Sequence, residues 1–277
     1  MIGKVYLVGA GPGDPELLTV KALRVLERAD LVLHDDLVPD SILGLVQPGA
    51  AIVNVGKRCG KKSVNQEEIN ARMIAGARRG SLVVRLKGGD PAIFGRAGEE
   101  MQALLDSEVE CEIVPGVTAA SAAAAAAGIS LTHRDMASSV VFLTGHCAAG
   151  KARNGWLAPG SAKEDFAGKT VVVYMPGPDY RALQEQLRGA GVRDEAPCLL
   201  ISAASRGASR MHRTTLGRLA ETPQLPAPNI LIVGEVVRLA REMKASQASW
   251  RFEPALAPGQ NTYLTFGQLE LMRNAGT

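Results

Sequence analysis

Between residues 82 and 100 the chain reads LVVRLKGGDPAIFGRAGEE, and this stretch gathers side chains that could do chemistry. Residues 82–86 have the composition of a strand and drive into Gly88-Gly89-Asp90-Pro91; Gly95-Arg96-Ala97-Gly98 then opens a helix at Glu99. Paired glycines after a strand let a ligand approach the backbone with no Cβ in the way. Asp90 can accept hydrogen bonds from a hydroxyl or an amine, and Pro91 stiffens the turn. Arg85, Lys87 and Arg96 place cations around this loop, which points to an anionic substrate. The plainer alternative is an ordinary strand–turn–helix corner.

A second glycine turn lies near the amino terminus. Apolar residues 5–8 run into Gly9-Ala10-Gly11-Pro12-Gly13-Asp14-Pro15. Asp14 suits an N-cap and Pro15 a first helical position. Apolar residues at 17, 18, 22, 25, 26 and 29 continue at helical spacing. A strand at 31–33 then ends on His34-Asp35-Asp36. Such a β–loop–α–β unit invites a dinucleotide reading, with Asp35 or Asp36 on a ribose. The GxGxxG fingerprint needs a glycine where this chain has Asp14, so a nicotinamide cofactor is disfavoured.

The elements that must position these turns alternate regularly at first. A strand at 52–56 leads into Lys57-Arg58-Cys59-Gly60-Lys61-Lys62, and a helix is expected over 65–79, capped by Asn65. A strand at 111–114 ends in Pro115-Gly116-Val117-Thr118-Ala119 and an alanine-rich helix follows to Gly128. Thr118 reads equally as a helix cap or as a ligand contact. Residues 129–137 look like an inter-domain hinge, after which strands are expected at 140–144, 170–175, 198–202, 214–219 and 230–233 and helices at 179–190 and 235–243. Residues 147–168 form a polar insert. The expected architecture is α/β, with one α/β domain over 1–130, a second over 138–245, and a tail over 246–277.

Bulk properties exclude several classes. At 277 residues, with 46% hydrophobic and 21% charged residues, the chain is of ordinary globular composition. A net charge of +3 gives no argument for nucleic acid, and no apolar stretch reaches membrane-span length. Cys59, Cys111, Cys147 and Cys198 form no CxxC pair and no cluster with histidine, so they read as reduced thiols of a cytoplasmic protein and not as a metal site. No leader segment is expected, because a strand pattern starts at once.

Taken together, GAGPGDPELLT (9–19), HDDLV (34–38), VGKRCG (55–60), NQEEIN (65–70), VVRLKGGDPAIFGRAGEE (83–100), VPGVTAAS (114–121), GISLTHRD (128–135), TGH (144–146) and YM (174–175) resemble the tetrapyrrole methylases, in order and over about two-thirds of the chain. The resemblance implies two α/β domains with the active site in the cleft between them, a homodimer, and S-adenosyl-L-methionine as methyl donor, released as S-adenosyl-L-homocysteine, with no metal. It further implies methylation of uroporphyrinogen III at C2 and C7, giving precorrin-2 by way of precorrin-1. By motif position, Pro12, Gly88, Gly89, Asp90, Ile93, Thr118, Ala119, Met175 and Ala204 are the implied cofactor contacts. Asp35 and Lys57 are the implied proton-handling residues, and Arg96, Glu99, Arg134 and His146 face the tetrapyrrole, Arg96 also being a possible participant in catalysis. Each has a bland reading: Asp35 as a loop cap, His146 as an interior histidine, Met175 as core filler. His34, Ala92 and Pro176 depart from the usual pattern of tyrosine, an aromatic residue and glycine. A later corrin-pathway methyltransferase and a non-catalytic cofactor-binding paralogue are the alternatives, and a methyltransferase standing alone, without siroheme-type dehydrogenase or ferrochelatase modules, is the expectation.

Overall fold

The structure is a computed structural model and describes residues 2–56, 64–145, 166–207 and 209–241. Lys57, His146, Cys59, Cys147, most of the polar insert and the tail lie outside the described residues. The chain divides into two compact units between Thr118 and Ala119. The alanine-rich helix is therefore grouped with the second unit, although the sequence had placed it before a boundary at residue 130.

The first unit is a wholly parallel sheet of β1 (Val5–Gly9), β2 (Leu31–His34), β3 (Ala51–Asn54), β4 (Val83–Lys87) and β5 (Cys111–Val114), in the order β3-β2-β4-β1-β5. Parallel sheets are covered on both faces, which is why these strands read as nearly unbroken apolar runs. Helices α1 (Val20–Leu26) and α2 (Asp40–Leu43) cover one face with Val8, Val32, Ile52, Val84 and Leu86. Helices α3 (Gln66–Arg78) and α4 (Ala97–Asp106) cover the other with Val5, Leu7, Leu33, Val53 and Val83. Asn65 caps α3 as expected, its side chain accepting from the Glu68 amide at 2.7 Å. The helix expected from Pro15 onward is broken instead. Asp14 caps a single 3-10 turn, Pro15–Leu17; Leu18 and Thr19 are extended, and Thr19 caps α1 afresh.

The second unit holds α5 (Ala119–Ala126), β6 (Ser139–Thr144), β7 (Lys169–Tyr174), α6 (Tyr180–Ala190), β8 (Pro197–Ser202), β9 (Arg210–Thr215) and β10 (Asn229–Val233). Its sheet runs β6-β7-β10-β8-β9; β6 is parallel to β7 and the other pairs are antiparallel. Asp179 caps α6 through the Ala182 amide at 2.9 Å, and Gly191, at φ 109°, closes it. Two expectations fail here. The strand placed at 214–219 is β9, which begins earlier and gives way to a 3-10 segment, Leu216–Glu221. The helix placed at 235–243 is, in its described part, the 3-10 segment Glu235–Leu239. The segment 129–137 is a loop of the second unit, closed on itself by paired hydrogen bonds between His133 and Ala137 at 2.9 Å.

Candidate functional site

In open α/β sheets ligands bind beyond the carboxyl ends of the strands. At that edge of the first sheet three turns lock together. Gly11 and Gly89 exchange backbone hydrogen bonds at 3.1 and 2.7 Å. A Cβ on Gly116 would lie 2.3 Å from the Gly89 carbonyl, and one on Gly9 would lie 2.7 Å from Gly116. These glycines thus serve first to let main chain touch main chain. Asp90 completes the lock: one carboxylate oxygen accepts from the Ala92 amide at 2.8 Å, the other from the Gly116 amide at 3.0 Å. Pro12, Gly88, Gly89, Asp90, Ile93 and Thr118 belong to these same turns, and Thr118 directly precedes α5. A main-chain cradle of this kind suits a nucleoside, whose hydroxyls and base can be met by backbone groups and by the spare lone pairs of Asp90.

The cations expected around the loop are placed differently. Arg85 and Lys87 share the β4 face that carries Val83, point at α4, and are 4% and 3% exposed. Glu100, fully buried on α4, takes Arg85 Nε at 3.0 Å, Lys87 Nζ at 2.8 Å and Gln66 Nε2 at 3.1 Å. Arg85 also donates to the Leu33 and Leu86 carbonyls, each at 3.2 Å, and to the Asp35 carboxylate. They form an internal ion network and do not face a substrate; burial, and then the neighbouring Arg85 charge, push the Lys87 pKa down. Asp35 is held at the end of β2 by a buried guanidinium, which is more than a loop cap requires. His34, beside it, is buried with Nδ1 3.0 Å from the Asp35 carbonyl, and burial pushes its pKa down.

Arg96 is the cation of the three that remains at the surface. It stands before α4 in the left-handed conformation, φ 58°, and Phe94 is left-handed too, φ 51°. Such residues cost roughly 1–3 kcal/mol each and persist where the surroundings demand them. The Arg96 guanidinium grips the Glu99 carboxylate at 2.8 and 2.6 Å, which pushes its pKa up and fixes it as a cation.

The second sheet carries a similar edge. Met175, Ala203 and Ser205 follow β7 and β8 with φ of 49°, 51° and 63°. Gly145, after β6, donates to the Tyr174 carbonyl at 2.8 Å, and a Cβ there would lie 2.6 Å from the Met175 carbonyl. Met175 is 47% exposed and so is not core filler. Ala204 sits between two left-handed residues, and Arg134 is exposed in the 129–137 loop. The residues missed in the sequence are Glu100 and Gln66, both partners in the internal ion network. Among the described residues no group of three His, Cys, Asp or Glu side chains could hold a metal, and no helix is long and apolar enough to cross a membrane.

Two α/β units with strained and glycine-dependent backbone gathered at strand ends have the architecture of open-sheet ligand-binding enzymes. More narrowly, the chain belongs to the tetrapyrrole (corrin/porphyrin) methylases, whose family pattern matches residues 4–220. It is 44% identical to siroheme synthase 1 of Yersinia enterocolitica over 92% of this chain and 53% of that protein. It is also 44% identical to the S-adenosyl-L-methionine-dependent uroporphyrinogen III methyltransferase of Arabidopsis thaliana, over 86% of this chain and 64% of that one. The chain spans about half the length of the siroheme synthases it matches. Among solved structures, uroporphyrin-III-C-methyltransferase from Thermus thermophilus is similar at TM-score 0.71 and 41% identity, covering 86% of this chain and 95% of that one. A uroporphyrin-III C-methyltransferase from Thermus thermophilus complexed with S-adenosyl homocysteine is similar at TM-score 0.69 and 38% identity, over 86% of this chain and 94% of that one.

Proposed function

We propose that this chain transfers two methyl groups from S-adenosyl-L-methionine to C2 and C7 of uroporphyrinogen III, yielding precorrin-2 and S-adenosyl-L-homocysteine. The observation that carries the reading is the likeness to a uroporphyrinogen III methyltransferase at 44% identity. The interlocked glycine turns add to it. When bound, the cofactor supplies an activated sulfonium methyl, so no metal is needed.

The chain's own residues then hold the reactants and take up a proton. Pro12, Gly88, Gly89, Asp90, Ile93, Thr118, Ala119, Met175 and Ala204 are the proposed cofactor contacts. Asp35 is the proposed proton acceptor, with Lys57 its partner in proton handling. Arg96, Glu99, Arg134 and His146 are proposed to meet the tetrapyrrole and its carboxylates. The Arg96–Glu99 pair is half-exposed, and exposed pairs contribute only about 0–1 kcal/mol. A substrate carboxylate can therefore replace Glu99 on the guanidinium at little cost, and the fork geometry is already formed. Arg96 acts as a cation and not as a base, since an arginine stays protonated.

The test is label transfer from methyl-labelled cofactor under anaerobic conditions, with uroporphyrinogen III and a later precorrin offered in competition. Label on uroporphyrinogen III supports the reading; label on the precorrin alone overturns it.

A further inference from the structure

Asp35 does not stand alone at the end of β2. Its carboxylate is held by Arg85 Nη2, and the same guanidinium is fixed through Nε by Glu100, a residue of another element that is closed to solvent. The two backbone carbonyls that Arg85 also meets, Leu33 and Leu86, belong to β2 and β4, so the guanidinium is a rigid spacer between α4 and the end of β2. Glu100 moreover carries Lys87 and Gln66 on the same two oxygens. The four charged groups balance, Arg85 and Lys87 against Asp35 and Glu100, when all are ionised.

We infer that Glu100 is a positioning residue for methyl transfer: through Arg85 it sets the place of the Asp35 carboxylate and the balance of charge around it. This rests on the proposed role of Asp35 as proton acceptor. Arg85 puts a full positive charge against the Asp35 carboxylate. Glu100, on Nε of the same guanidinium, balances that charge, and a variant lacking its carboxylate leaves the cation uncompensated beside Asp35. Among the described residues, the charged and titratable groups near Asp35 are His34 and Asp36 on its own segment, Arg85 and Lys87 from β4 and Glu100 from α4; from β3, Asn54 binds Asp36 at 2.8 Å.

The experiment compares E100Q, E100Q/K87M and D35N by pH-rate profiles and by calorimetric titration with S-adenosyl-L-homocysteine. E100Q is expected to lower kcat about tenfold with KM nearly unchanged, and to move the acid limb of kcat/KM to lower pH. Cofactor affinity should stay at the wild-type value. The double variant removes one cation with the carboxylate and is again balanced, so its acid limb should return toward the wild-type position while kcat stays low. If E100Q does not fold, the double variant carries the test, and wild-type kcat in it overturns the inference. An unmoved acid limb in E100Q, or turnover and cofactor affinity falling together, also overturns it and leaves Glu100 as support for the core. D35N keeping the wild-type profile would retire the Asp35 reading itself, and with it this inference, whatever E100Q shows.

Discussion

The carboxylate of Asp90 reaches across to the amide of Gly116 at 3.0 Å, so the turn after β4 and the turn after β5 are held by a single side chain. Its other oxygen closes its own turn on Ala92. Asp90 is therefore both a proposed cofactor contact and a tie between loops. Asp90→Ala should cost about 1.5–3 kcal/mol of stability, the range for hydrogen bonds to a charged group, and should weaken S-adenosyl-L-homocysteine binding as well. Urea unfolding and calorimetry check the two losses. Full retention of cofactor affinity would remove Asp90 from the site.

Glycine positions separate into two kinds. Gly116→Ala forces a Cβ to 2.3 Å from the Gly89 carbonyl, backbone against backbone, and should destabilise by about 3 kcal/mol while abolishing cofactor binding. Gly189→Ala, in α6 with nothing within 4 Å of its Cβ position, should stabilise by about 0.5–1 kcal/mol and leave activity alone. Equal melting behaviour in the two variants would contradict the interlocked-turn description.

Arg96→Ala removes one member of a half-exposed ion pair, so stability should change by less than about 1 kcal/mol. Turnover of uroporphyrinogen III should fall about a hundredfold, and cofactor affinity should hold. Arg96→Lys should recover only part of the loss, because an ammonium lacks the two-pronged fork. Wild-type turnover in the alanine variant would take Arg96 out of the substrate's reach.

His34 gives a pH dependence with a definite sign. Burial lowers its pKa in the folded chain below the ordinary 6.5. The unfolded chain therefore binds the proton more readily, and stability rises with pH between the folded and unfolded values. The contribution is complete above 6.5 and is lost as pH falls toward the folded value. Melting temperature followed downward from pH 7 should drop, and His34→Gln should flatten that slope. An unchanged slope would mean that His34 is protonated without penalty.

Locally encoded features were readable in the sequence. Asn65 and Asp179 cap their helices, and the glycine turns after β1, β4 and β5 fall where their motifs stand. Features made by tertiary contact were not. Arg85 and Lys87 read as cations around the glycine loop, pointing to an anionic substrate, because nothing nearby in sequence shows that their face of β4 meets α4. One signal was available: Glu100 lies on the helix face of Ala97 and Leu104, both buried, and a carboxylate there needs cationic partners. Strand β9 was misplaced because its sequence, RMHRTT, is that of a polar edge strand with no apolar alternation. The broken start of α1 turned on Thr19, whose side chain caps the helix through Ala22 at 3.2 Å and also donates to the Pro115 carbonyl at 3.4 Å, a partner remote in sequence.

The most direct measurement is the mass of the tetrapyrrole after anaerobic incubation of uroporphyrinogen III with the protein and methyl-labelled S-adenosyl-L-methionine. The proposed function predicts two labelled methyl groups on each tetrapyrrole, with a singly methylated species appearing first. Tight binding of the cofactor with no mass added to uroporphyrinogen III would contradict it.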